Sequence, residues 1–324
     1  MAFAAVPGPS LDAHQGAPLL TVVICTFNRA SLLSRCLAEL MRQAPGIPAG
    51  ELDIMVVDNN SSDDTALICE RFRAEWPLLR YVFEPQQGLS HARNRGANES
   101  LGTYVGYLDD DALPGPEYLQ NLMAVLVRHS PDIAGGPVLP FYTSPKPFWF
   151  QDELEVRQHA RGTGFFDCPV SGGNFIIRRE LLLKLGMFST DYGMLGGQLR
   201  LGEERNLIER YRAANAPTDR KIYYSQNCFI YHHVPSEKMR IGYFVRRAFE
   251  SGRLKVALAR ELGTARPDDL GRPAGGGNRL QRIIRGEKGV YLPLRAMHYI
   301  TLVLGMTYEA LINQLSGRTE MSKI

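Results

Sequence analysis

The stretch Tyr104-Val-Gly-Tyr-Leu-Asp-Asp-Asp111 joins an apolar run to three consecutive carboxylates, and Pro114 and Gly115 follow directly. A short apolar run bounded by turn residues reads as a buried strand. Three carboxylates at its end repel one another unless a cation or hydrogen-bond donors hold them there. Two readings follow. The aspartates form a cation site where a strand stops, or they are a solvated acidic loop that caps a helix starting near Pro116.

The flanking chain decides what kind of strand this is. Leu19 to Thr26 (LLTVVICT) is a continuous β-branched run suited to burial on both faces. Leu32, Leu33, Cys36, Leu37, Leu40 and Met41 then recur at helical spacing. Asp53 to Val57 predicts a second strand ending at Asp58. The polar run Asn59 to Asp64 predicts a loop that caps a helix near Thr65. Leu79 to Glu84 predicts a third strand, Ser90 to Ser100 a helix, and Tyr104 to Leu108 the fourth strand. Strands alternating with helices imply a parallel α/β sheet. Ligands bind outside the carboxyl ends of such strands, where Asp58 and the three aspartates lie.

Beyond residue 135 the pattern loosens. Pro140 to Phe150 reads as an ordered loop, in which Trp149 and its neighbouring phenylalanines pack onto the core. Phe175 to Arg178 predicts a strand, Glu180 to Leu185 a short helix and Leu207 to Ala214 a helix. Lys221 to Tyr231 predicts a strand ending at His232 and His233. A basic helix is expected from Met239 to about Leu262, a mobile linker at 266–278, and a final helix at roughly Leu292 to Leu315.

Composition narrows the class. With 324 residues, 44% hydrophobic and 22% charged, the chain is ordinary for a globular protein with a sizeable core. The net charge of +3 is mild, and nothing resembles a nucleic-acid recognition module. Five scattered cysteines argue against a thiolate metal site or disulfide framework and favour a reducing cytosol. Residues 1–17 read as a disordered leader, and no run of about 20 apolar residues suggests a membrane span.

Aspartates at a strand end, joined by a distant histidine, suit Mg²⁺ or Mn²⁺ against a diphosphate. Arg93 and Arg95 on the preceding helix either meet phosphates or form a solvated face. A nucleotidyltransferase is expected to carry a Gly-rich loop and lysine near the first strand, and a dehydrogenase G-x-G-x-x-G. Cys25-Thr-Phe-Asn-Arg29 has neither.

Four motifs in order carry a family resemblance: Thr21-Val-Val-Ile-Cys-Thr-Phe-Asn-Arg29, Val56-Val-Asp-Asn-Asn-Ser-Ser-Asp-Asp-Thr65, Gly88-Leu-Ser-His-Ala-Arg-Asn-Arg-Gly96 and Leu108-Asp-Asp-Asp111. Together they resemble family 2 glycosyltransferases of the GT-A fold. The likeness continues through Ser171-Gly-Gly-Asn-Phe175 and Gly202-Glu-Glu204.

The resemblance implies a GT-A α/β fold with a mostly parallel central sheet and a helical C-terminal extension. A catalytic domain would span 18–238, with a nucleotide-binding half at 18–112 and an acceptor half at 113–238. A basic extension would occupy 239–324. The implied reaction is metal-dependent and inverting, from a nucleotide diphosphate sugar, UDP favoured, to a hydroxyl acceptor in polysaccharide or glycoconjugate synthesis. Non-catalytic nucleotide-sugar binding is the other reading, against which the intact acidic run stands.

By the same resemblance Thr26, Asn28, Arg29, Asp58 and Arg93 hold the nucleotide, Asp58 usually on the base. Asp109 and Asp111 form the D-x-D pair for ribose, metal and diphosphate, and Asp110 between them, usually more variable, is also placed on the nucleotide sugar. His232 or His233 completes the metal site. Glu204 stands where the catalytic base is usually an aspartate, with Glu203 in reserve. Gly172, Gly173 and Asn174 lie toward the acceptor.

Seven basic residues between Lys238 and Arg260, with Arg279, Arg282, Arg285 and Lys288 beyond, precede the apolar stretch Ala296 to Met306. A basic segment beside an apolar one reads as peripheral attachment to the cytoplasmic face of a membrane, fitting a lipid-linked acceptor. The alternative is a helical hairpin packed on the catalytic domain, or a homodimer interface.

Overall fold

The four runs expected as strands form β1 (Leu20–Thr26), β2 (Leu52–Asp58), β3 (Leu79–Phe83) and β4 (Tyr104–Asp109), all mutually parallel. The structure is a computed structural model. It describes residues 16–196, 198–261, 263 and 292–321, with side chains in the last helix described for 297–312. The expected leader and the 266–278 linker lie outside the described residues, apart from positions 16 and 17.

The continuous apolar character of β1 arises because both its faces are covered. Leu20, Val22 and Ile24 pack with Leu33, Leu37 and Leu40 of α1 (Ala30–Gln43), Cys69 of α2 (Thr65–Glu75) and Leu122 of α4 (Tyr118–His129). Val23 on the opposite face packs with Ala92 and Ala97 of α3 (Leu89–Glu99), Leu182 of α5 (Arg179–Lys184) and Leu207 of α6 (Glu203–Ala214). Each Leu, Ile or Val fully buried here contributes about 1.5–3 kcal/mol, so the two layers fix which way each strand faces.

Seven further strands complete two sheets: β5 (Ala112–Pro114), β6 (Ile133–Gly135), β7 (Val138–Tyr142), β8 (Gly164–Phe165), β9 (Asn174–Arg178), β10 (Ile222–Tyr224) and β11 (Ile230–Val234). The large sheet runs β3-β2-β1-β4-β9-β6-β10-β8 and the small one β5-β11-β7. β9 is antiparallel to both β4 and β6, and β8 to β10, so the sheet is mostly rather than wholly parallel.

The single strand expected over Lys221 to Tyr231 is two strands in different sheets. The turn formers Ser225-Gln226-Asn227 interrupt it, and Cys228 N–H closes the turn on the Ser225 carbonyl. His232 and His233 therefore lie inside β11, not beyond a strand end. Part of the loop expected at Pro140 to Phe150 is strand, because Leu139 to Tyr142 pairs in parallel with β11. Trp149 and Phe150 do pack as expected, Trp149 edge-on against Phe150 and Phe244, but the neighbouring Phe148 is exposed to solvent.

The C-terminal helices α7 (Ile241–Glu261) and α8 (Leu292–Met321) contact each other at Phe244–His298, Phe249–Tyr308 and Arg253–Glu309. These pairs ascend together along both helices, so the pair is parallel rather than a hairpin. Glycine permits the close crossing: a Cβ on Gly252 would lie 2.1 Å from the Leu302 carbonyl, and one on Gly305 2.1 Å from that of Phe249. Ile300, Leu304, Tyr308 and Leu311 leave an exposed apolar stripe on α8. No helix among the described residues is long and apolar enough to cross a membrane.

Candidate active site

The parallel register sets the acidic wall of the site. Thr26 sits opposite Asp58, and Cys25 opposite Asp109, so β1, β2 and β4 end together. β9 brings Ser171-Gly-Gly to the same edge, where the Gly173 carbonyl accepts from Asp109 N–H. Above this edge opens a cavity of about 760 Å³, lined by residues from both sheets, α6 and α7.

On the nucleotide side, Thr26, Asn28, Arg29 and Asn59 line the cavity. Asn28 has φ 53°, a left-handed conformation that asparagine tolerates, and its Oδ1 accepts from Ser62 N–H at 2.7 Å. Asp63 accepts from Ala30 N–H and from Thr65 N–H, tying the starts of α1 and α2 to one loop. Asp58, expected on the base, does not line the cavity. It is buried, accepting from Ser61 N–H at 2.9 Å and Tyr81 O–H at 2.7 Å, and it orders the loop while Asn59 reaches the wall.

The three aspartates separate into different environments. Asp109 is half-buried, whereas Asp110 and Asp111 are each 4% exposed. Asp110 accepts from Thr26 Oγ1 at 2.8 Å and Arg29 Nη1 at 3.0 Å, and the same guanidinium nitrogen lies 3.0 Å from Asp111. Burial pushes the Asp110 carboxyl up to about 7, opposed by Arg29 and aided by Asp111. It is the central acceptor between β1 and the loop after it.

The small sheet adds the histidine. β11 pairs with β5, and His233 N–H donates to the Asp111 carbonyl at 3.0 Å, so the strand lies against the aspartate turn. Alternation then sends the two rings apart. His232 Nε2 lies 3.3 Å from Asp111 Oδ1 and 3.7 Å from Asp109 Oδ2. His233 instead meets Thr143 Oγ1 at 2.8 Å and packs on Phe141. Burial holds the His232 pKa well below its ordinary value, which favours the neutral ring that ligates metals. Asp109, Asp111 and His232 offer three ligand atoms within 4.8 Å of one another, and Asp111 Oδ1 is buried without a hydrogen-bond partner among the described residues.

Arg93 lies beneath this cluster, 3% exposed and within cation–π range of Tyr107 and Phe188, with Glu203 at 2.7 Å and Asp109 at 3.7 Å. Burial opposes its charge, but Glu203 and then Asp109 outweigh that and raise its pKa. The guanidinium thus links the aspartates to α6, and also lines the cavity. Arg95 is on the solvated face, paired with Glu99.

The glycines exist for these charges. A Cβ on Gly172 would lie 2.9 Å from Arg93, and one on Gly173 2.1 Å from Asp109 Oδ2. Asn174, expected toward the acceptor, is fully buried. Its amide donates to the Cys228 carbonyl and accepts from Tyr118 O–H, which ties β9 to the turn before β11 and to α4.

Glu203 is committed to Arg93. Glu204, the next residue, also lines the cavity, and its carboxyl is pushed up to about 8, by burial first and by Glu203 second. The left-handed Gly202 that starts α6 abuts Leu254 of α7, while Glu261 accepts from Tyr192 and Asn206. The C-terminal helix therefore braces the acidic pair. Sequence reasoning missed the opposite wall, formed by Glu155, Arg157, Lys238, Tyr243 and Arg247. Its one sequence signal is the short distance from His232 to Lys238.

A mostly parallel sheet whose strand ends carry an acidic cluster and a facing carboxylate is the arrangement of the GT-A class. Residues 21–186 match the family described as "Glycosyl transferase family 2", and the chain belongs to it: it is a glycosyltransferase. Validoxylamine A glucosyltransferase of Streptomyces hygroscopicus subsp. jinggangensis is 34% identical over 125 residues, covering 38% of this chain and 28% of that protein. The succinoglycan biosynthesis protein ExoM of Rhizobium meliloti is 25% identical over 252 residues, 75% of each chain. A Campylobacter jejuni GalNAc(5)-diNAcBac-PP-undecaprenol β-1,3-glucosyltransferase is 32% identical over 181 residues, 54% of this chain and 56% of that one. This chain thus spans less than two thirds of the first and third relatives.

Two solved structures share the fold. A mannosyltransferase from Pyrobaculum calidifontis, solved with GDP-Man and Mn²⁺, has a TM-score of 0.58 at 20% identity, covering 96% of this chain and 90% of that one. S. aureus TarS 1–349 with UDP-GlcNAc has a TM-score of 0.53 at 17% identity, covering 91% of each.

Proposed function

We propose that this glycosyltransferase moves a sugar from a nucleotide diphosphate sugar, with UDP the favoured carrier, to a hydroxyl acceptor with inversion at the anomeric carbon. One observation carries the reading: Glu204 and the Asp109–Asp111–His232 cluster line a single cavity. Two carboxylates and one imidazole suit Mn²⁺ or Mg²⁺, with the imidazole favouring Mn²⁺. The unpartnered, buried Asp111 Oδ1 fits that assignment. A divalent cation bound there neutralises charge on the departing diphosphate.

Thr26, Asn28, Arg29 and Asn59 hold the nucleoside end, and Asp110 holds Thr26 and Arg29 in place. Glu204 takes the proton of the acceptor hydroxyl as its oxygen attacks the anomeric carbon. The carbon–oxygen bond to the diphosphate breaks, and its electron pair leaves on the diphosphate. Arg93 keeps Glu203 occupied, which leaves Glu204 as the base. The exposed stripe of Ile300, Leu304 and Leu311 supports docking to the membrane surface that carries a lipid-linked acceptor.

A thermal-shift screen of UDP-, GDP- and dTDP-sugars with and without Mn²⁺ tests the donor. A UDP-sugar is expected to raise Tm only when Mn²⁺ is present. Stabilisation by a GDP- or dTDP-sugar alone changes the carrier, and no stabilisation by any of them removes the reading.

A further inference from the structure

The wall opposite the aspartates has a charge pattern of its own. Glu155 is 5% exposed, and its carboxylate pairs with Arg247 of α7 through one oxygen and lies 3.7 Å from Arg157 through the other. Arg157 is fixed by backbone bonds in both directions with Val138 at the start of β7. Lys238 sits on the short turn Ser236–Met239 that follows β11, the strand of His232. It makes no ion pair among the described residues. All four side chains line the cavity that contains Asp109, Asp111 and His232.

Three cations against one carboxylate leave two positive charges unmatched, in a place where burial lowers the Lys238 pKa and Asp111 and Glu155 act against that lowering. Such an arrangement is costly unless an anion answers it. A divalent cation would balance Asp109 and Asp111, so a bound diphosphate brings two negative charges that the metal cluster does not cover. The wall supplies the balance.

We propose that Arg157, Lys238 and Arg247, gathered on the buried carboxylate of Glu155, form a phosphate-binding wall, with Lys238 placed on the departing diphosphate of the donor. This rests on the reading above. As the bond from the anomeric carbon to the diphosphate oxygen breaks, its electron pair moves onto that oxygen. The Lys238 ammonium meets the added charge without giving up a proton. Arg157 and Arg247 set the field, and Glu155 keeps both guanidinium groups in the wall.

Isothermal titration with inorganic pyrophosphate, in the presence and absence of Mn²⁺, tests it on the full chain. Lys238→Met is expected to weaken pyrophosphate binding in Mn²⁺ by about 10- to 100-fold, the loss of one charge-assisted contact. Mn²⁺ affinity measured alone and Tm are expected to stay unchanged, and Lys238→Arg to recover most of the binding. Unchanged pyrophosphate affinity in Lys238→Met overturns the proposal. So does an equal loss of Mn²⁺ binding without pyrophosphate, because the residue would then act through the metal cluster. If pyrophosphate binding ignores both Mn²⁺ and Asp111→Asn yet still weakens in Lys238→Met, the wall stands and the metal reading falls.

Discussion

The two walls of the cavity are built by opposite means. The acidic wall consists of the ends of β1 and β4 with one strand of the small sheet laid against them, so its geometry is set by sheet register. The opposite wall takes Glu155 and Arg157 from an irregular segment, Lys238 from a single turn, and Tyr243 and Arg247 from a helix that belongs to a C-terminal pair. Register leaves the first wall almost no freedom, whereas the second depends on how α7 seats against α6 and the loop at Tyr192. The groups proposed to hold a cation are on the rigid wall, and those proposed to meet phosphate charge are on the adaptable one.

This contrast can be broken most decisively at Asp111. Asp111→Asn is expected to lower turnover by about 10⁴-fold, the several kcal/mol that a metal-held leaving group is worth, and to abolish the Mn²⁺-dependent rise in Tm. Retained Mn²⁺ stabilisation in this variant would take the acidic wall out of metal binding.

A smaller effect, about 10³-fold on turnover with donor affinity kept, is expected for Glu204→Gln. The raised Glu204 pKa adds a pH signature with two signs. Turnover is expected to rise with pH as the carboxyl, pushed up to about 8, loses its proton. Stability runs the other way. The folded pKa exceeds the ordinary value of 4.5, so the contribution is full below that value and is lost as pH rises through about 8. Melting curves at pH 6 and pH 9 should therefore show Glu204→Gln more stable than the parent at both, with the larger margin at the alkaline end. A parent protein with pH-independent Tm across that range would show that Glu204 is already ionised.

The smallest effect concerns the outer face of the C-terminal pair. Leu304→Glu is expected to leave turnover on a soluble acceptor unchanged and to reduce co-sedimentation with anionic vesicles. Unaltered vesicle binding would separate the exposed stripe from any membrane role.

Much of the acidic wall was legible because its signals are local. Apolar runs ending in Thr26, Asp58 and Asp109 can be read one strand at a time, and parallel pairing then brings their ends together. The expectations that Glu203 and Glu204 hold the base and that a late histidine joins the metal came from the family resemblance. The division of labour among these residues was not visible, since it depends on strand alternation at β11 and on which glutamate reaches Arg93. The partners of Asp110, Thr26 and Arg29, lie far upstream, and the burial of Asn174 comes from Tyr118 and Cys228 on other elements, so neither environment could be read from the local sequence. The basic wall left almost no signal. Arg157 and Arg247 meet only through Glu155, and a run of arginines on a helix reads the same whether it faces solvent or a ligand.

The lodging of His232 on a strand of the small sheet also bears on when this protein becomes competent. Nascent chains fold from the N-terminal end as they are synthesised, so the large sheet can organise β1 to β4 early. The cluster stays incomplete until β11 emerges and pairs with β5, and the facing wall waits longer still, for α7.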